Sequence, residues 1–364
     1  MSETLLITGA TGLVGSEVLR RMLRRDPHLR AYALVRDAVA WQRIASTLGP
    51  DHSRVKAVSG DVRRKGLGIE YNARRALTRE VTLVVHAAAD TSFSRSLADA
   101  RLANTEGTRK LIDLCRVFGK LRRFSYVSTA YVAGRNVGII RESDNGCEAG
   151  WVNAYERSKY EAEALVRASS MDWTIFRPST IACDGPDGRV TQLNAVHRAL
   201  KIYNRGLAAM MPGRAEDCLD LVTTDFVAQA VARLAVDHRA TRRTVHLCAG
   251  EGAIPLGALL DAAYDAWSRD PLWRRRGVER VMLTDIDTYT LFTDSVKETG
   301  DARLAAILAS LSHFVPQLAL PKLFDTSIAD RLLGYRAQPV ASYWSAMLSR
   351  LMEDSWGAVQ EIAA

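Results

Sequence analysis

Thr8-Gly9-Ala10-Thr11-Gly12-Leu13-Val14-Gly15 lies between the apolar run Leu5-Leu6-Ile7 and an amphipathic stretch that ends near Arg25. Three glycines therefore form a G-x-x-G-x-x-G pattern between a predicted strand, Thr4 to Thr8, and a predicted helix, Val14 to Arg25. Glycine is needed where the backbone turns sharply, where it approaches a pyrophosphate and where helix meets strand. The helix start then offers free N–H groups and a positive dipole end to an anion. Spacing alone is a weak signal, but its position directly after the first strand makes it strong. Gly9, Thr11, Gly12, Leu13, Val14 and Gly15 are the expected pyrophosphate contacts.

Outward from that turn, β-branched runs alternate with helical patterns, the signature of βαβ units. Strands are expected at 31–36, 55–59, 81–86, 123–128 and 173–177, with helices near 38–48, 96–118 and 155–168. The predicted fold class is α/β: a doubly wound parallel (Rossmann) sheet whose ligand lies beyond the carboxyl ends of its strands. Residues 1–185 form the expected dinucleotide-binding domain, with 221–250 returning to it. Residues 186–220 and 251–364 form a smaller, mostly helical substrate lobe. Within it, Leu304, Ile307, Leu308, Leu311 and Val315 fall on one face of an apolar helix expected over 302–320. That helix reads as core packing, or alternatively as a lid, an acyl-chain wall or a membrane-touching element.

Composition narrows the class further. Hydrophobic residues make up 48% and charged residues 25% of 364 residues, the balance of a globular chain. The net charge of +8 is carried by forty-one arginines and eight lysines, with no run of five like charges. We read this as compositional bias, and expect no nucleic-acid partner. Five scattered cysteines without a C-x-x-C pair argue against a disulfide framework or a zinc site and fit a cytoplasmic location. No signal peptide or spanning helix is expected.

The second strand ends in Leu34-Val35-Arg36. An acidic residue there would bind the ribose 2′-hydroxyl of NAD, whereas arginine suits the 2′-phosphate of NADPH/NADP. Arg43, in the next helix, is a second expected contact. Asp61, in Gly60-Asp61-Val62, is placed to accept from the adenine amino group, with Val62 beside it.

Tyr155-Glu156-Arg157-Ser158-Lys159 sets a phenol and an ammonium on one helical face. The ammonium is expected to favour phenolate, so that the tyrosine can exchange a proton with a carbonyl oxygen. A hydroxyl pair, Ser128-Thr129, stands at a predicted strand end, with Thr129 26 residues ahead of Tyr155.

Together these motifs resemble the extended short-chain dehydrogenase/reductase family over residues 4–250. Further matches are His86-Ala87-Ala88-Ala89, Asn104-Thr105-Glu106-Gly107-Thr108 and Arg177-Pro178-Ser179-Thr180. The resemblance implies Tyr155 as acid/base, Lys159 as pKa modulator and ribose binder, and Thr129 as the hydroxyl that faces the developing oxyanion. It also implies cofactor contacts at Ala87, Ala88, Asn104, Tyr155, Lys159, Pro178, Ser179 and Thr180. His86 reads either as a structural residue or as part of the nicotinamide pocket; Thr91 and Phe93 read as contacts or as packing.

Finer wording, in His86 to Phe93, Ser128 to Val132 and Asp220 to Val227, resembles the male-sterility-type fatty acyl reductases and the thioester reductase domains. That implies hydride transfer from NADPH to an acyl thioester, carried by CoA or a carrier protein, or to the derived aldehyde. The alternatives are an NADP-dependent reductase of small ketones, hydroxysteroid-like or flavanone-like substrates, and a non-catalytic NADP(H) sensor. The resemblance also leaves room for a homodimer through a two-helix face.

Overall fold

The computed structural model describes residues 3–354 and Trp356. Seven parallel strands form the central sheet: β1 (Thr4–Thr8), β2 (Arg30–Val35), β3 (Val55–Ser59), β4 (Leu83–His86), β5 (Arg123–Val127), β6 (Trp173–Pro178) and β7 (Arg243–Leu247). Their spatial order is β7-β6-β5-β4-β1-β2-β3, so the direction of winding reverses between β1 and β4. A crevice opens at such a reversal beyond the carboxyl ends.

Alternating strand residues feed two apolar layers. Leu5, Ile7, Ala31, Ala33 and Val85 face one layer with Val18 and Leu19 of α1 (Leu13–Arg25). Leu6, Tyr32, Leu34, Val84 and Tyr126 face the other with Leu111 and Ile112. Both faces of the sheet are covered, as an all-parallel sheet requires.

The helix expected over 96–118 divides at Asn104 into α4 (Leu97–Ala103) and α5 (Thr105–Cys115). Gly107 of α5 packs on Val62, whose side chain stands where a β-carbon would need room. A helix over Tyr71–Glu80 has no counterpart among the expected elements; it packs Ala73, Ala76 and the buried Leu77 on one face. The remaining Rossmann helix, α6 (Ala154–Ala168), is capped by Asn153, whose side-chain oxygen accepts from the Glu156 N–H.

After Pro178 the chain makes further helices, including α7 (Ala195–Asn204), α8 (Thr224–Leu234) and α9 (Leu256–Trp267). α8 packs against α1, where Arg21 pairs with Asp225 at 2.7 Å. The apolar helix expected over 302–320 is shorter: it spans Ala302–Leu311 and gives way to a 3₁₀ turn over Val315–Ala319. Pro316 lacks the N–H that a continuing helix would use. Leu308, Leu311 and Val315 are buried, while Leu304 and Ile307 are only half-buried. Among the described residues no helix is long and apolar enough to cross a membrane.

Candidate active site

The glycine turn joins β1 to α1 beside the end of β4. Gly9 adopts φ +73°, and a β-carbon there would press within 2.6 Å of the Ala87 carbonyl carbon and the Ala88 nitrogen. A β-carbon on Gly15 would collide with the Gly9 carbonyl. Gly12 differs, since its β-carbon would meet only the Gly9 oxygen at an ordinary 3.4 Å. Two of the glycines are thus demanded by packing, and the third leaves its surface bare. Gly12 is the N-cap of α1, no side chain caps it, and no acidic residue stands in the first turn. Thr11 and Gly12 are exposed, Leu13 and Val14 half-buried. This bare helix start fits a pyrophosphate.

Arg36 lies exposed past β2 and lines a cleft of about 580 Å³ with Asp61, Val62, Arg63, Ala88, Asp90 and Arg95 among its walls. Asp37, the next residue, is occupied as the cap of the following helix, Ala38–Ser46, accepting from the Val39 and Ala40 N–H groups. Arg43, expected as a second contact, stands in the last turn of that helix, exposed and outside the cleft lining. The basic groups beside Arg36 are instead Arg63 and Arg95, from loops after β3 and β4. Asp61 is engaged by Arg63, whose guanidinium donates to it at 2.7 Å and holds its carboxyl below the ordinary range. Any adenine contact at Asp61 would share that carboxylate.

His86 ends β4 between two threonines, with Nδ1 2.7 Å from the Thr8 hydroxyl and Nε2 3.0 Å from the Thr108 hydroxyl. Thr108 gives its proton to the Asn104 carbonyl at 2.6 Å, so Nε2–H must donate to Thr108. Thr8 then donates to Nδ1 and accepts from the Ala88 N–H at 3.2 Å. Burial, with the Lys159 charge second, pushes the imidazole down to about 3 and keeps it neutral. His86 is a structural pin that fixes the glycine turn to the β4 end.

Asn104 is likewise occupied by protein groups. Its side chain accepts from the Asp90 N–H at 2.8 Å and donates to the Asp90 carbonyl and the Ser158 hydroxyl at 3.0 and 2.9 Å. Both side-chain N–H groups are spent, so the amide ties the β4 loop to α6 instead of offering a donor to a cofactor.

Tyr155 is the second residue of α6 and is half-buried. The Thr129 hydroxyl stands close enough to lower the phenol pKa, yet burial dominates and raises it well above its ordinary value. The expected ammonium-driven lowering is not what the protein shows. Lys159, fully buried, turns its ammonium to the Val127 carbonyl at 2.7 Å and over the Tyr126 ring at 4.2 Å. Burial pulls Lys159 down to about 7, against a raising contribution from Glu163.

Thr129 accepts from the Tyr131 N–H at 3.3 Å and points its hydroxyl at the Pro178 carbonyl at 3.5 Å. The 178–180 turn therefore sits beside Thr129. Ser179 is buried and Thr180 donates to the Tyr131 hydroxyl at 3.2 Å. Behind it, Arg177 forms a buried two-pronged pair with Glu163 of α6, at 3.0 and 2.8 Å.

Two aromatic residues complete the surroundings of the phenol. The Phe93 ring lies 5.5 Å from the Tyr155 ring, and Phe314 stacks on Phe93 at 6.4 Å with planes 10° apart. Glu156, not among the expected site residues, is buried next to Tyr155 and accepts from the Gln317 side chain at 2.7 Å. The N-x-x-E spacing of Asn153 and Glu156, a helix-start pattern, was its available signal.

The pattern of the family described as male sterility protein matches residues 7–231, more than half of the chain. The chain belongs to the male sterility protein family. It is an oxidoreductase of the extended short-chain dehydrogenase/reductase type, with a nicotinamide-cofactor fold. It is 23% identical over 360 residues to a probable fatty acyl-CoA reductase 5 of Arabidopsis thaliana, covering 76% of this chain and 72% of the plant protein. It is 30% identical over 228 residues to the L-2-aminoadipate reductase large subunit of Penicillium chrysogenum, covering 54% of this chain and only 16% of that protein. Among solved structures, the terminal R domain of the myxalamid PKS-NRPS pathway superposes with a TM-score of 0.79 at 25% identity, covering 97% of this chain and 91% of that one.

Proposed function

We propose that this chain is an NADPH-dependent reductase of acyl thioesters, with Thr129, Tyr155 and Lys159 as the catalytic group. The observation that carries the reading is the Tyr155 phenol beside the Thr129 hydroxyl, on one helical face with Lys159, in a setting that keeps the phenol protonated. A reductase needs the protonated form, because the carbonyl oxygen must receive a proton as its carbon receives hydride. The acyl class is supported by relatives named as fatty acyl-CoA reductases and as a biosynthetic terminal R domain.

NADPH is favoured over NADH by Arg36 at the β2 end, and by Asp37 being occupied as a helix cap instead of free to bind a ribose hydroxyl. The bare α1 start holds the pyrophosphate, with Ala87, Ala88 and the 178–180 turn along the cofactor path. NADPH, when bound, supplies the hydride. The hydroxyls of Thr129 and Tyr155 then hydrogen-bond the developing oxyanion, the largest stabilising contribution expected at such a site. Tyr155 gives its proton to that oxygen, producing a hemithioacetal. Collapse breaks the carbon–sulfur bond; the hydroxyl proton leaves, the thiol departs with a proton, and aldehyde remains. Lys159, anchored on Val127, keeps a positive charge within the site while protonated. Residues 186–220 and 251–364 serve as the substrate lobe in this reading.

The test is a substrate panel of acyl-CoA, fatty aldehyde and ketone, assayed with NADPH and with NADH. Oxidation of NADPH with release of free thiol supports the reading. Turnover of ketones alone overturns it, and a preference for NADH removes the role given to Arg36.

A further inference from the structure

Beside Tyr155, the C-terminal lobe presents a segment that is fastened to the catalytic helix by a buried polar chain. Glu156 accepts from the Gln317 side-chain N–H at 2.7 Å, from the Asn153 side chain and from the Val152 N–H at 3.0 Å each. Gln317 in turn accepts from the Lys322 ammonium at 2.9 Å. The amide orientation follows from chemistry, since its nitrogen meets a carboxylate and its oxygen an ammonium. Asn153 also donates to the His313 carbonyl at 3.1 Å. Glu156, Gln317 and Lys322 are all buried.

These bonds bracket Phe314, which is 5% exposed and stacks on Phe93, which in turn touches Tyr155. Three aromatic rings from three elements thus run from the reacting phenol into the C-terminal lobe. Beyond the phenol itself, the Phe93 and Phe314 rings offer a substrate no hydrogen-bonding group. We infer that Phe93 and Phe314 form an apolar wall along which the carbons next to the reacting carbonyl lie, and that Phe314 sets how much acyl bulk the site accepts. Glu156 and Gln317 are positioning residues: they lock the wall to the helix that carries Tyr155. The site therefore selects acyl groups that are apolar near the carbonyl over those with polar groups there. This inference rests on the acyl reading above.

The experiment compares the full chain with Phe314→Ala and Phe314→Leu on a series of acyl-CoA thioesters of increasing length and branching, with the matching free aldehydes in parallel. NADPH binding is followed by fluorescence titration. The expected result is a shift of at least tenfold in the ratio of kcat/KM for bulky over short acyl groups in Phe314→Ala, a smaller shift in Phe314→Leu, and NADPH affinity within twofold. Gln317→Leu should raise KM for all acyl groups while the NADPH affinity stays within the same twofold. An equal loss across the series, with the ratio unchanged, would overturn the wall and leave Phe314 as core packing. If Phe314→Ala fails to fold, Phe314→Leu and Phe93→Leu carry the same ratio test. Wild-type turnover of aldehydes without thioesters would sink the thioester reading, yet the length ratio among aldehydes would still decide the wall.

Discussion

The Lys159 ammonium donates to the Val127 carbonyl oxygen at 2.7 Å, at the end of the strand that delivers Thr129. This bond joins the helix that carries Tyr155 to the strand that leads into Thr129, and it sets the first prediction. Burial lowers Lys159 to about 7, so its ammonium is lost as pH rises through neutrality. Tyr155 remains protonated throughout, because its own pKa is raised. The kcat/KM for NADPH reports free-enzyme ionisations. It should therefore fall on the alkaline side with an apparent pKa near 7, and any residual rate in Lys159→Arg should lack that fall. For stability the sign is the reverse of a paired lysine: the penalty of burying the charge is complete below about 7 and fades as pH rises toward the ordinary lysine range. A profile flat from about pH 6 to 9 would contradict this.

The three glycines of the turn should separate cleanly under substitution. Gly15→Ala drives a methyl into the Gly9 carbonyl and should lower thermal stability by several degrees. Gly12→Ala meets only ordinary contact, so the fold should persist while NADPH affinity falls. Thermal melts and cofactor titration on both variants check the pair; equal effects on stability would refute it.

Arg36→Ala should weaken NADPH binding by roughly tenfold or more, the worth of a charge-assisted hydrogen bond, and leave NADH nearly unchanged. Arg43→Ala should do neither, since Arg43 lies outside the cleft. Dissociation constants for both cofactors decide the matter.

Arg177 and Glu163 form a pair buried beneath the 178–180 turn. Burial alone would raise the Glu163 carboxyl, but the Arg177 charge holds it down to about 2. Its contribution is complete above the ordinary carboxylate range and is lost as pH falls toward about 2. Arg177→Leu leaves the buried carboxylate with Arg167 as its remaining ion-pair partner, and should cost about 3 kcal/mol in urea unfolding near neutral pH. The cost should shrink in acid, where Glu163 in the variant is protonated.

Much of the fold was legible because local pattern and global topology agree. The glycine turn, the β-branched strand runs and the 3.6-residue stripes of α1 and α5 each name the same parallel sheet. The helix over Tyr71–Glu80 is harder to read because its apolar face is only Ala73, Ala76 and Leu77, two of them small, in a segment rich in charge. The apolar run over 302–320 looked like one helix, until Pro316 and the bonds from Asn153 and Glu156 bent it into a turn. The placement of Arg36 past a strand end, and of Tyr155 and Lys159 on one helix, is readable from their offsets to strand ends and helix starts. The approach of Arg63 and Arg95 to Arg36 and of Phe314 to Phe93 is not, since these residues come together through loops, and the Glu156–Gln317 bond spans 161 positions in sequence. The pKa of Tyr155 was misjudged for a related reason: the Y-x-x-x-K spacing shows the ammonium, whereas burial and the Val127 carbonyl appear only in three dimensions.

Thioester reduction through Tyr155 is tested by a paired assay on an acyl-CoA, following NADPH oxidation and free thiol together in the wild type and in Tyr155→Phe. One thiol should be released for each NADPH consumed when aldehyde is the product, or for every two when alcohol is. Turnover in the variant should fall by at least about 100-fold, with NADPH affinity nearly intact. NADPH oxidation without thiol release, or full activity in Tyr155→Phe, would contradict it.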